Sequence, residues 1–242
     1  MNGLLAVAVD VAAIAVAALL IFGPHEAGHL LVGLAFGARA LDFSVGIGPK
    51  VVSRTWGGTL YAIRWFPVAA YVRFEDDYDE RVSPGRRLVI SAAGPTASFV
   101  AGYVYFAAGA SLYVHDLWRG FFGTARAAWF AITFLFGHPG LLFSPEGLSG
   151  PVGVGQLVTQ STAYGLYAWL LVVAIISVST GLLNLLPILP LDGGVILAAF
   201  FQLVARRRLT RWITAYTAVG YVVVIGLVLY ATRSDLLRLL GR

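Results

Sequence analysis

GPHEAGHLL (residues 23–31) sets two histidines four positions apart around a glutamate, at the end of the almost wholly apolar stretch 4–22. Residues i and i+4 share one face of a helix, about 6 Å apart, so His25 and His29 can reach a common point with Glu26 beside them. Ionisable groups inside an apolar run are expensive, and within a membrane they mark a site. The stretch therefore predicts a membrane helix that ends in a polar centre. Pro24 takes one backbone N–H out of that helix just before the motif, which would loosen it locally and admit water.

The composition agrees with a membrane setting: of 242 residues, 59% are hydrophobic and 12% charged, with a mean hydropathy of +0.81. A helix needs roughly 20 apolar residues to cross a hydrocarbon core of about 30 Å. Leu4–Phe22, Leu88–Val114, Leu166–Leu186 and Trp212–Thr232 qualify. A further stretch, Ala127–Phe143, is shorter and is interrupted by His138 and Pro139, which predicts an interfacial or re-entrant helix over 124–143. The expected fold class is all-α and polytopic, with four transmembrane helices in a single domain over 1–242. No basic residue precedes the first apolar run, so it is expected to remain in the mature protein and not to be cleaved as a signal peptide.

Charge supplies an orientation. Eight Lys/Arg fall in 39–87 and four in 206–211, against Arg119 and Arg126 between the second and third spans and Arg233, Arg238 and Arg242 in the tail. The positive-inside bias then puts 38–87 and 206–211 on the cytoplasmic side of the cell membrane, 115–149 on the outer side as a connection, and both termini outside. The pI of about 9.7 follows from this topology beside an anionic lipid bilayer, and no nucleic acid is implied. The absence of cysteine excludes disulfides and thiolate metal sites.

Residues 38–87 differ from the rest of the chain. KVVSRTWGGTLYAIRWFPVAAYVRF (50–74) alternates, turns at Gly57-Gly58, alternates again and continues past Pro67, which predicts a membrane-associated β-hairpin with a third strand. EDDYDE (75–80) reads as a solvated loop, because its spacing fits no calcium loop.

His-Glu-x-x-His is an arrangement in which two histidines hold zinc and the glutamate is the general base. A catalytic zinc takes three protein ligands and keeps one position open. Candidates for the third, in or beside membrane segments, are Asp10, His115, Asp116, His138 and Asp192. Asp10 lies fifteen residues up the same helix, roughly 22 Å away, and cannot reach. Asp192, in NLLPILPLDGG (184–194), lies at the inner end of the third span, at the depth of His25.

His-Glu-x-x-His in a first span, followed later by Asn-x-x-Pro-x-x-x-x-Asp-Gly, resembles the site-2 protease family of intramembrane zinc metalloproteases. SAAGPTAS (91–98), GPVGV (150–154) and FPVAAYVRF (66–74) resemble further stretches of that family, in family order over most of the chain. Ser98 stands where the family often has Asn, and Ala69-Ala70 replace its usual glycines. A compact bacterial or archaeal type, without PDZ or nucleotide-sensing domain, is expected.

The resemblance implies one zinc ion on His25, His29 and Asp192, and Glu26 as the base that takes a proton from water and later gives it to the leaving amine. Asn184 is then expected to hold substrate or oxyanion, with Gly193, Gly57 and Gly58 as further substrate contacts. The implied reaction is hydrolysis of a peptide bond in or near a transmembrane segment. The implied partners are a transmembrane protein substrate, such as an anti-sigma factor or a remnant signal peptide, and a regulatory membrane partner. An edge within 49–74 could receive the unwound substrate by strand addition, and 59–65 is the strand expected to do so. The alternative is a membrane metal or proton transporter using the same His/Asp/Glu cluster. A transporter needs polar groups spread across the membrane and an internal repeat, and neither is visible in the sequence.

Overall fold

The apolar opening of the chain forms one continuous helix, α1 (Gly3–Ala35), which runs through Pro24 without a break. At 1.5 Å per residue its 33 residues reach about 50 Å, more than the about 30 Å of a hydrocarbon core. The computed structural model describes residues 3–75, 78–126, 150–207 and 210–240. The expected interfacial helix over 124–143 lies largely outside the described residues, as does His138.

After α1 come strands β1 (Ala40–Trp56) and β2 (Thr59–Phe74), then helices α2 (Tyr78–Arg81) and α3 (Pro84–Val114). Residues 117–126 are helical (α4), followed by α5 (Pro151–Thr162), α6 (Leu166–Asn184), α7 (Asp192–Ala205) and α8 (Thr210–Leu239). Four of these, α1, α3, α6 and residues Arg211–Leu239 of α8, are long and apolar enough to cross a membrane. The four expected apolar stretches are thus helices; three are longer than expected, and α6 ends two residues earlier, at Asn184. The chain divides into two compact units.

The larger unit comprises Ala15–Ala101 and Ser177–Tyr221. Here α1 and α3 approach closely at Gly28, where an added Cβ would lie 2.4 Å from the carbonyl oxygen of Ala93. Small residues permit such contacts between membrane helices. The same holds between α3 and α6, where a Cβ on Gly181 would come within 3.0 Å of the Pro95 carbonyl and the Ser98 Cβ. The SAAGPTAS stretch is therefore a close-packing face. Below it, Ala38, Val82 and Ile90 form a buried cluster with Val32, Phe36, Phe74 and Tyr78, which ties α1, β2, α2 and α3 together.

The sheet is more elaborate than a hairpin with one added strand. Gly57 and Gly58, at φ 58° and 85°, make the tight turn between antiparallel strands. Both strands bend, so residues 42–45 of β1 lie beside 60–63 and also beside 70–73 of β2, while 52–56 pairs with 59–63. The third strand expected past Pro67 is the second half of β2. Strand addition along 59–65 is corrected by this register, because 60–63 is flanked on both sides. Among the described residues the open edges are 52–56 and 70–74. A buried polar cluster holds the bend: Ser44 Oγ donates to Asp42 at 2.6 Å, and Arg64 donates to Ser44 Oγ (3.1 Å), Asp42 (3.3 Å) and the Gly48 carbonyl (3.0 Å). Of the predicted loop 75–80, Glu75 pairs with Arg39 and Arg81, and α2 begins at Tyr78.

The smaller unit comprises Met1–Ile14, Gly102–Ile176 and Val222–Arg242. The start of α5 has no cap of its own, its N-cap being Gly150. Asp235, 2% exposed on α8, supplies one by accepting the Gly153 amide at 2.8 Å. A side-chain carbon at Gly150 or Gly153 would sit 2.7 Å from the Asp235 carboxylate, which gives the GPVG spacing a physical reason. Asp116, a candidate third ligand, is engaged instead at the start of α4, accepting the Arg119 amide at 3.0 Å.

Candidate metal centre

Each histidine is positioned by α1 and oriented by α3. His25 and His29 are 5% and 8% exposed, with rings set edge-to-face at 5.0 Å. His29 Nδ1 lies 2.8 Å from the carbonyl oxygen of Ile90. A carbonyl only accepts, so the proton sits on Nδ1 and Nε2 presents a lone pair. His25 Nδ1 lies 2.9 Å from Ser98 Oγ. The two Nε2 atoms face each other at 3.3 Å.

Asp192 closes the triangle. Its Oδ2 is 3.1 Å from His25 Nε2 and its Oδ1 is 3.2 Å from His29 Nε2. The local sequence explains how it arrives there. Helix α6 ends at Asn184, the chain turns through 185–191 with a cis Leu189–Pro190 peptide, and Asp192 is the first residue of α7. Gly193 and Gly194 let α7 start directly under the turn, since a Cβ on either would lie 2.2 Å from the Leu185 carbonyl oxygen or 2.3 Å from the Leu189 amide nitrogen. Gly220 of α8 packs against the Leu189 carbonyl, and Tyr216 donates a hydrogen bond to the Pro187 carbonyl, so the turn is held from outside as well.

His25, His29 and Asp192 are the group among the described residues whose donor atoms all lie within 4.8 Å of one another. Zinc bonded at about 2.0–2.1 Å in a tetrahedron has ligand-to-ligand edges of about 3.3–3.4 Å. The 3.3 Å between the two imidazole nitrogens matches such an edge, and the Asp192 carboxylate reaches one imidazole with each oxygen, at 3.1 and 3.2 Å. Two imidazole nitrogens and a carboxylate are a donor set suited to zinc. Asp192 Oδ2 is also buried without a hydrogen-bond partner, as expected of an atom reserved for an ion. The residues present fit the metal.

Glu26 is half-buried next to the triangle, with the backbone of Val72 in β2 near its carboxylate. Asn184 donates to the Thr180 carbonyl one turn back at 3.0 Å. Gly193 lies beneath the turn, and Gly57 and Gly58 form the exposed hairpin tip. The sequence reading missed the role of Gly94. A Cβ there would lie 2.2 Å from His29 Nε2 and 2.9 Å from His25 Nε2, so this glycine leaves open the space where the ligands converge. It also missed the Ile90 carbonyl and the Val72 backbone, since backbone groups leave no trace in residue type. Ser98 was visible only as a departure from the family pattern.

The fold has four helices long and apolar enough to cross a membrane, and the site is a His2Asp cluster that could hold a metal ion. The model of Peptidase family M50 matches residues 12–228. The chain belongs to this family, and the resemblance to site-2 proteases is borne out. Relatives that carry the name "Putative zinc metalloprotease" occur in Thermotoga maritima (36% identical over 95 residues, 34% of this chain and 19% of the relative) and Chlamydia pneumoniae (38% over 99 residues, 40% and 16%). Another, in Streptococcus pneumoniae, is 32% identical over 123 residues, 50% of this chain and 29% of the relative. The matches span less than a third of the length of these curated relatives.

Gly94→Ala is expected to abolish zinc binding, by more than the about 10–100-fold that altered ligand surroundings usually cost, while the helices persist. Metal analysis of the dialysed protein checks this.

Proposed function

We propose that this chain is a zinc-dependent endopeptidase that hydrolyses a peptide bond in or near a transmembrane segment of a membrane-anchored protein. The observation that carries the reading is the convergence of His25, His29 and Asp192 at 3.1–3.3 Å, with the Glu26 carboxylate adjacent to the same centre. Family membership and the four apolar helices support it.

When bound, zinc polarises the scissile carbonyl and brings the pKa of its water toward about 7. The chain's own residues do the rest. His25, His29 and Asp192 hold the ion and leave a position for water and substrate. Glu26 takes the proton from the attacking water and returns it to the leaving nitrogen, the task of a general base that becomes a general acid. Val72 of β2 lies beside this carboxylate, at the edge of the same centre.

A transmembrane helix has its carbonyls hydrogen-bonded internally, so the substrate must unwind before hydrolysis. We infer that the unwound segment pairs along the 70–74 edge of β2. That edge is open among the described residues, and Val72 on it lies beside Glu26. Alternation along a strand puts the Ala70 amide on the same side.

In a cleavage assay with a model transmembrane substrate, Glu26→Gln should lower the rate about 10²–10⁴-fold while zinc content stays that of the wild type. Wild-type turnover by this variant would remove the glutamate from the mechanism. Absence of cleavage by the wild type would favour the transporter reading. In the same assay Ala70→Pro, which deletes one edge N–H, should cost about tenfold or more with zinc retained. An unchanged rate would rule out pairing along this edge.

A further inference from the structure

We propose that Ser98 is a positioning residue for the metal centre, holding the ring of His25 in the tautomer that ligation requires; this rests on the metal-centre reading above. The two histidines are not oriented alike. The partner of His29 is a main-chain carbonyl, which admits only the Nδ1–H tautomer. The partner of His25 is a hydroxyl, which can either accept from Nδ1 or donate to it. Only the first arrangement leaves Nε2 bare for an ion. Commitment of Nε2 to the metal therefore obliges Ser98 to accept.

The surroundings keep that oxygen in place. Ser98 is 0% exposed, so no bulk water competes for Nδ1. Ser177, also 0% exposed, donates from α6 to the Ser98 carbonyl at 3.0 Å. The backbone of α6 presses on the same residue at Gly181, where an added Cβ would lie 3.0 Å from the Ser98 Cβ. Residue 98 is thus held by α6 at two points, with its hydroxyl against the ring. Nothing else in the described structure bonds to His25 Nδ1, so loss of the hydroxyl leaves a buried N–H without an acceptor. Partners of this kind raise ligand basicity and fix ring orientation, and their removal costs about 10–100-fold in metal affinity.

The test measures zinc affinity of the full chain in detergent by competition with a chelating dye. Ser98→Ala should bind zinc about 10–100-fold more weakly than wild type, and Ser98→Thr, which keeps the hydroxyl, should restore most of the loss. Ser161→Ala, which deletes a buried hydroxyl bonded to its own helix, serves as the control and should bind as wild type does. In ¹⁵N-histidine spectra of the zinc-loaded wild type, the His25 Nδ1 proton should be protected from exchange. Equal affinity of wild type and Ser98→Ala, or a rapidly exchanging His25 Nδ1 proton, overturns the proposal and leaves the metal centre standing. Failure of the wild type to bind zinc overturns the metal centre itself.

Discussion

Two imidazole lone pairs and a carboxylate, held 3.1–3.3 Å apart in a buried pocket, repel one another unless a positive charge lies between them. Burial makes the conflict worse, because the effective cost of an uncompensated buried ion is several kcal/mol. The surrounding fold holds this arrangement instead of relaxing it. His29 is pinned by a carbonyl, His25 by a buried hydroxyl, and Asp192 by a turn that is clamped between α7 and α8. A site so constrained suits an ion that brings the three donors together.

The constraint explains the distribution of glycine and other small residues. Gly28 brings α1 onto α3, Gly181 brings α6 onto α3, and Gly193, Gly194 and Gly220 compress the turn that delivers Asp192. Between membrane helices there is little hydrophobic driving force, so close van der Waals packing has to supply it. The short-side-chain motifs along the chain are contacts between backbones. Gly94 differs from them, since the space it leaves belongs to the ligands.

Much of this was legible in the sequence because membrane physics is unforgiving. Four apolar runs had to be spans, and polar groups within one of them had to be a site. His25 and His29 were readable as a pair from helical spacing, and Asp192 joined them through membrane depth together with the family resemblance. The sheet was only half legible. Alternation and the Gly57-Gly58 turn revealed the hairpin, but register across bent strands depends on the buried Asp42–Ser44–Arg64 cluster, in which Arg64 comes from some twenty residues further on. That cluster decides which edge remains open. The Asp235 cap on α5 was hidden for the same reason, being an interaction across eighty-two residues.

The central claim is that these three side chains form one zinc site. X-ray absorption at the zinc edge of the purified protein tests it most directly. The account predicts one zinc per chain, four-coordinate, with two imidazoles and oxygen donors at about 2.0–2.1 Å. A spectrum with one imidazole or none, or a six-coordinate all-oxygen shell, would contradict it.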